Sequence, residues 1–194
     1  MANFKLAYAY TMQNEGGIAD DKDDPGGLSY KGITSRDWPA WYGWIFIKPI
    51  YKQFGLSKRT NTILANNPQL QDLVQDFYKK YYWDVHQADF LLSDLIATEL
   101  FDSSVNCGTV TAGEWLQCAL NQFIPKTDQL KVDGVIGVKS LLACNSINPK
   151  GGVITLIYNA QNKSQEMHYR DLIAKDPKKK KFFNAWMSRV KYIK

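Results

Sequence analysis

Two carboxylates near the amino terminus have the types and spacing to work on one substrate. Glu15 closes a helix-like run and is followed by Gly16-Gly17, while Asp24 comes nine positions later in a loop rich in acids and glycine. Ser29 and Thr34 add hydroxyls close by. Hydrolysis of a glycosidic bond needs one carboxylic acid kept protonated for the leaving oxygen. A second group commonly activates water or stabilises the cation. Spacing alone does not decide the matter. A glutamate before Gly-Gly is also an ordinary surface residue, and aspartates in a glycine loop also serve to cap and hold it.

Other chemistries fit less well. No glycine-rich phosphate loop is present, which argues against nucleotide chemistry. His86 and His168 stand alone without zinc-ligand spacing, so no metal and no cofactor is expected. Asp21 to Gly26 opens like a calcium loop, but Pro25 takes the fifth position and Gly32 the twelfth, where a bidentate Glu is required. Cys107, Cys118 and Cys144 match no metal pattern and read as small buried hydrophobes. A peptidase pairing Cys107 with His86 or His168 lacks an orienting third residue.

The elements that must position Glu15 are helical. Phe4, Ala7, Tyr8 and Met12 recur at helical spacing, and the paired glycines after Glu15 stop that helix. Asp20 to Tyr30 reads as a structured loop or small hairpin, and Trp38 to Phe54, broken by Pro39 and Pro49, as helical fragments and loop. Trp38, Trp41, Tyr42 and Trp44 there are core or sugar-stacking residues, with core favoured. Asn67-Pro68 caps a helix carrying Leu70, Leu73, Val74, Phe77 and Tyr81. Asp94 is expected to cap a helix ending at Gly108, and Thr111 to Glu114 form a capping box for the next. A tight turn over Val132 to Gly137 then leads into a short helix, and a long helix ends at Asp176-Pro177. The last helix carries Phe183, Trp186, Met187 and Val190. The fold class is all-α, with 1–88 expected as a catalytic lobe and 89–194 as a C-terminal helical lobe. The formal net charge of +5, with lysines crowded into the tail, suits an anionic partner.

Several motifs occur together and in order. They are Glu15-Gly16-Gly17, Asp23-Asp24-Pro25-Gly26-Gly27, Gly32-Ile33-Thr34, Tyr82-Trp83-Asp84, Phe101-Asp102, Val105-Asn106-Cys107-Gly108 and Val132 to Gly137. This pattern resembles glycoside hydrolase family 108, phage-type N-acetylmuramidases of the lysozyme superfamily. The chain departs from it at Ser29, where the loop usually has Thr, and across 38–66, which has no counterpart. The resemblance implies a lysozyme-like two-lobed fold, Glu15 as catalytic acid, and a peptidoglycan-binding region around 132–137. Asp24 is the candidate second group, with Asp23 and Asp102 as rivals. Ser29, Thr34, Asp102, Asn106 and Trp83 are candidate substrate-binding residues. The implied partner is the peptidoglycan glycan strand, with no nucleic acid and no stable membrane insertion, and the protein is expected to be a monomer. No signal peptide is legible, so a cytoplasmic product released to the wall by a holin or secretion system is expected. A lytic transglycosylase on the same fold, or a silent wall-binding protein, are the rival readings.

Overall fold

The computed structural model describes residues 1–20 and 27–193. The expectations resting on Asp21, Asp23, Asp24, Pro25 and Gly26 lie outside the described residues. The chain forms two compact units, one of Met12–Lys80 and one of Met1–Thr11 with Tyr81–Lys194.

The smaller unit carries a three-stranded antiparallel sheet, β1 (Ile18–Ala19), β2 (Ser29–Tyr30) and β3 (Ile33–Thr34), in the order β1-β2-β3. Ile18, Tyr30 and Ile33 are register partners and are all buried. Ala19, Ser29 and Thr34 form the opposite row, because successive side chains alternate faces. Helices α2 (Trp44–Phe54), α3 (Lys58–Ala65) and α4 (Pro68–Tyr78) follow. The stretch expected as fragments is therefore a continuous helix over Trp44–Phe54. Pro49 and Ile45 lie on its exposed side, where water can serve the carbonyl that loses its partner. Ser57 and Asn67 accept the backbone N–H of Thr60 (3.1 Å) and Leu70 (3.0 Å), as helix caps should. Trp44, Ile47, Leu64, Leu70, Val74 and Phe77 fill this unit's core.

The larger unit begins with helix α1 (Phe4–Met12), whose last residue passes into the smaller unit, and continues with α5 (Asp94–Cys107), α6 (Thr109–Leu120), α7 (Val138–Asn145), α8 (Gly152–Lys175) and α9 (Phe183–Met187). Ser93, not Asp94, caps α5 by accepting Ile96 N–H (3.3 Å), and Asp94 instead accepts Asn3 N–H at 2.7 Å. Gly108, at φ +90°, ends α5 and opens α6 three residues ahead of the expected capping box. The turn over Val132 to Gly137 lies directly on α6. A Cβ on Gly113 would fall 2.2 Å from the Gly134 carbonyl oxygen. The chain is mostly helical, as expected, and none of its described helices is long and apolar enough to cross a membrane.

Candidate active site

Glu15 leaves the end of α1 with its N–H bonded to Met12 C=O (3.3 Å). Gly16 and Gly17 then turn the chain into β1. Gly17 C=O accepts Lys31 N–H (3.1 Å), and Ile18 N–H is taken by Asn61 Oδ1 (2.8 Å). Lys31 and Gly32, at φ +46° and +78°, make the two-residue turn between β2 and β3. Both central residues at positive φ define the turn type that matches strand twist.

The Glu15 carboxylate rests on this turn. A Cβ on Gly32 would lie 2.8 Å from Glu15 Oε2 and 2.9 Å from the Tyr78 hydroxyl. Only glycine therefore lets the carboxylate and the phenol approach the turn so closely. Tyr78 donates its proton to Lys31 C=O at 2.5 Å. Lys31 Nζ donates to Gln71 Oε1 at 2.7 Å, and Gln71 Nε2 donates to Tyr30 Oη and Leu64 C=O. Burial pushes the Lys31 ammonium down and the Tyr30 phenol up from their ordinary values. The result is a glutamate, half-buried, on a rigid hairpin braced by α4.

Ser29 and Thr34 are brought together as cross-strand partners on the row away from the core. The Thr34 hydroxyl donates to Asp37 Oδ2 (2.7 Å) and accepts Asp37 N–H (3.2 Å), so it also caps the turn that follows. Trp38 packs edge-on to Phe77 and its carbonyl accepts the Trp44 indole N–H (2.8 Å). Trp44 is buried, whereas Tyr42 is 62% exposed.

The remaining candidates belong to the larger unit. Asp102 is buried and pairs with Arg189 Nη1 at 3.0 Å. Asn106, one turn along α5, accepts the Tyr169 hydroxyl proton at 2.6 Å and the Cys107 thiol at 3.3 Å. Trp83 is 0% exposed, donates its indole N–H to Asp89 Oδ1 (2.8 Å) and packs edge-on to Phe4 and Phe101. Burial raises the Cys107 thiol to about 11, so it is not a thiolate at neutral pH. His86 is pushed down to about 4 by burial and its Nε2 bonds Ser104 Oγ (2.8 Å). No cluster of three or more potential metal ligands occurs among the described residues.

Tyr78, Lys31 and Gln71 were not foreseen from the sequence. Tyr78 is an apolar-face position whose hydroxyl gives no local signal, and Lys31 looks like any hairpin lysine.

A mostly helical chain that holds a carboxylate on a glycine turn, with no cofactor motif, has the makings of a hydrolase that works by proton transfer. The chain belongs to the glycosyl hydrolase 108 family, whose profile matches residues 8–108, and a predicted peptidoglycan domain matches residues 111–191. It is thus a glycoside hydrolase that acts on peptidoglycan, and peptidoglycan is its partner. No curated protein sequence matches the chain. Its fold is similar to the solved structure of SagA from Brucella abortus, with a TM-score of 0.60 and 22% identity, over 96% of this chain and 88% of that one. At that identity the likeness speaks for the fold alone, and it agrees with a mostly helical, lysozyme-like architecture.

Proposed function

We propose that the enzyme is an endo-acting N-acetylmuramidase, cutting the β-1,4 bond between N-acetylmuramic acid and N-acetylglucosamine with Glu15 as general acid. The observation that carries this reading is the seat of Glu15. Its carboxylate is fixed over Gly32, inside the family-matched segment, on a hairpin that two hydrogen-bonded side chains hold still. A proton donor works best when its orientation is set before substrate arrives. Glu15 gives its proton to the leaving glycosidic oxygen as the C–O bond breaks, and the sugar left behind develops oxocarbenium character. Asp24 is our candidate for the group that receives water or stabilises that cation. Ser29 and Thr34, paired on the outer row of the sheet, are candidates for hydrogen bonds to the sugar. Asp102 and Trp83, both buried, serve in this reading by holding α5 and its surroundings in place, and half-buried Asn106 is a further candidate for contact with the glycan.

The test is digestion of purified peptidoglycan by wild type and Glu15→Gln, with products identified by mass spectrometry. Wild type should release fragments with reducing N-acetylmuramic ends. The folded variant should be slower by at least about a hundredfold, the lower end of what general acid catalysis contributes. Unchanged cleavage by Glu15→Gln removes Glu15 from the reaction, and 1,6-anhydro ends would make the enzyme a transglycosylase.

A further inference from the structure

The stretch 38–66, which the motif pattern leaves unassigned, forms one wall of a cleft in the smaller unit. This cleft has a volume of about 720 Å³ and runs beside β1, lined by Ala19 and Asp20 on one side and Leu56, Ser57, Lys58 and Asn61 on the other. It starts close to Glu15. Asn61 lies against Gly17, where a Cβ would meet its Oδ1 at 2.0 Å, and Gly17 Cα can be no more than about 7 Å from that of Glu15.

The polar groups of the cleft are partly spoken for, and what remains is informative. Asn61 Oδ1 is committed to Ile18 N–H, which fixes the amide and leaves the two Nδ2 protons as donors. Asp20 accepts the Tyr51 hydroxyl proton at 2.6 Å, so its carboxylate is held in one orientation. The Ser57 hydroxyl caps α3. Arg59 lies over the Phe54 ring at 4.3 Å, turned to a different task. Lys58 forms no ion pair among the described residues and stands in the first turn of α3, where no acid offsets it. A cation there opposes the helix dipole, so local energetics give no reason for it. Leu56, 53% exposed, adds an apolar surface at the mouth.

An amide donor, a small apolar surface, a fixed carboxylate and an ammonium with no ion pair among the described residues together describe an N-acetylated, anionic saccharide. We propose that this cleft is a subsite for the glycan strand. It takes a sugar neighbouring the scissile bond by its acetamido group and by a carboxylate carried on the muramyl unit. Asn61 Nδ2 donates to the acetamido carbonyl, Leu56 covers the acetamido methyl, Asp20 accepts a sugar hydroxyl, and Lys58 pairs with the carboxylate. The subsite rests on the muramidase reading for its substrate.

The experiment measures KM and kcat on solubilised peptidoglycan strands, and Kd for the same strands in the Glu15→Gln background. The variants are Lys58→Glu, Lys58→Arg, Asn61→Asp and the control Lys52→Glu. Lys52 is exposed, lies outside the cleft, and its reversal changes net charge by the same amount. Asn61→Asp keeps the acceptor for Ile18 and removes the donor. Lys58→Glu should raise KM and Kd about three- to tenfold, the range expected of an exposed ion pair turned into a repulsion, with kcat held within about twofold. Lys58→Arg should recover the wild-type values, Asn61→Asp should raise KM, and Lys52→Glu should shift it less than about twofold. Strands stripped of stem peptide expose the lactyl carboxylate. A penalty confined to intact strands assigns the carboxylate to the stem peptide, and a penalty confined to stripped strands assigns it to the lactyl position. A penalty on both means that Lys58 pairs with whichever carboxylate that unit carries. Equal effects of Lys58→Glu and Lys52→Glu, or a loss in kcat with KM and Kd unmoved, would overturn the subsite. If instead Glu15→Gln still cleaves, the assignment of Glu15 as the acid falls, and if the products carry 1,6-anhydro ends the muramidase reading falls. In either case the Kd comparison continues to read the cleft.

Discussion

A methyl group at residue 32 would meet two oxygens at once, Glu15 Oε2 at 2.8 Å and the Tyr78 hydroxyl at 2.9 Å, on a backbone at φ +78°. Strain of that conformation for a residue with a Cβ is about 1–3 kcal/mol, and the displaced carboxylate adds a functional loss. Gly32→Ala is therefore expected to lower the melting temperature and to cut peptidoglycan hydrolysis at least about tenfold, because a small misplacement of a proton donor is costly. Gly16, beside Glu15 itself, has no atom within 4 Å of its would-be Cβ and no positive φ. Gly16→Ala should leave the melting temperature at the wild-type value. Thermal melts of the two variants check the contrast, and equal destabilisation would mean the close packing at Gly32 does not matter. The motif singles out both glycines. Only the three-dimensional neighbours tell them apart.

Gln117 on α6 fastens the turn over 132–137 with one side chain. Its Oε1 accepts Asp133 N–H (2.9 Å) and Gly134 N–H (2.8 Å), while its Nε2 donates to Asp133 Oδ1 and Val135 C=O, both at 3.0 Å. Gln117→Leu keeps the volume but strands two backbone donors, a loss of roughly 2–4 kcal/mol at the usual cost of unsatisfied buried groups. Denaturant melts should show that loss, and amide exchange at Gly134 should accelerate. Unchanged exchange would mean the turn is held by its glycine contact instead. Elements whose ends are set locally were legible in the sequence. The cap of Asn67-Pro68 at α4 and the stop of α8 before Asp176-Pro177 depend on neighbours a few residues away. The loop or small hairpin expected after Glu15 is a three-stranded sheet, whose extent was not legible because strands of two residues are too short to show alternation. Nor was the start of α6, where Gly108 overrides the local capping box. At the site, Glu15 and Gly32 stand out as a motif, while Tyr78, Lys31 and Gln71 meet across 40 to 47 residues of chain. Periodicity carries no signal at that range.

On the scale of the molecule, two buried groups on or beside α5 set opposing pH dependences. Glu99 is 3% exposed, accepts the Ser103 hydroxyl proton at 3.0 Å and is raised from 4.5 to about 7, chiefly by burial and then by the charge of Asp102. Between these values the unfolded chain loses the proton and the folded one keeps it. The stability Glu99 contributes is thus complete below about pH 4.5 and lost as pH rises through about 7. His86 runs the other way. Burial lowers it from 6.5 to about 4, so its contribution is complete above 6.5 and lost as pH falls through about 4. Between about pH 4.5 and 6.5 the two slopes oppose each other, and His168, also lowered by burial, adds to the His86 side. Glu99→Gln keeps the size and a hydrogen bond to Ser103 but no longer titrates. Its stability relative to wild type should start from a fixed offset near pH 4.5, climb steadily, and level off above about pH 7. The total climb is about 3 kcal/mol, the free energy of a shift of that size. Chemical denaturation of both proteins from pH 4.5 to 8 measures the difference directly, free of every other titrating group. A difference that does not change with pH would mean Glu99 is already ionised in the folded protein, with Arg189 serving it as well as Asp102. A climb of the expected size would show that the larger unit holds a protonated carboxyl near neutral pH while keeping the buried Asp102–Arg189 pair intact.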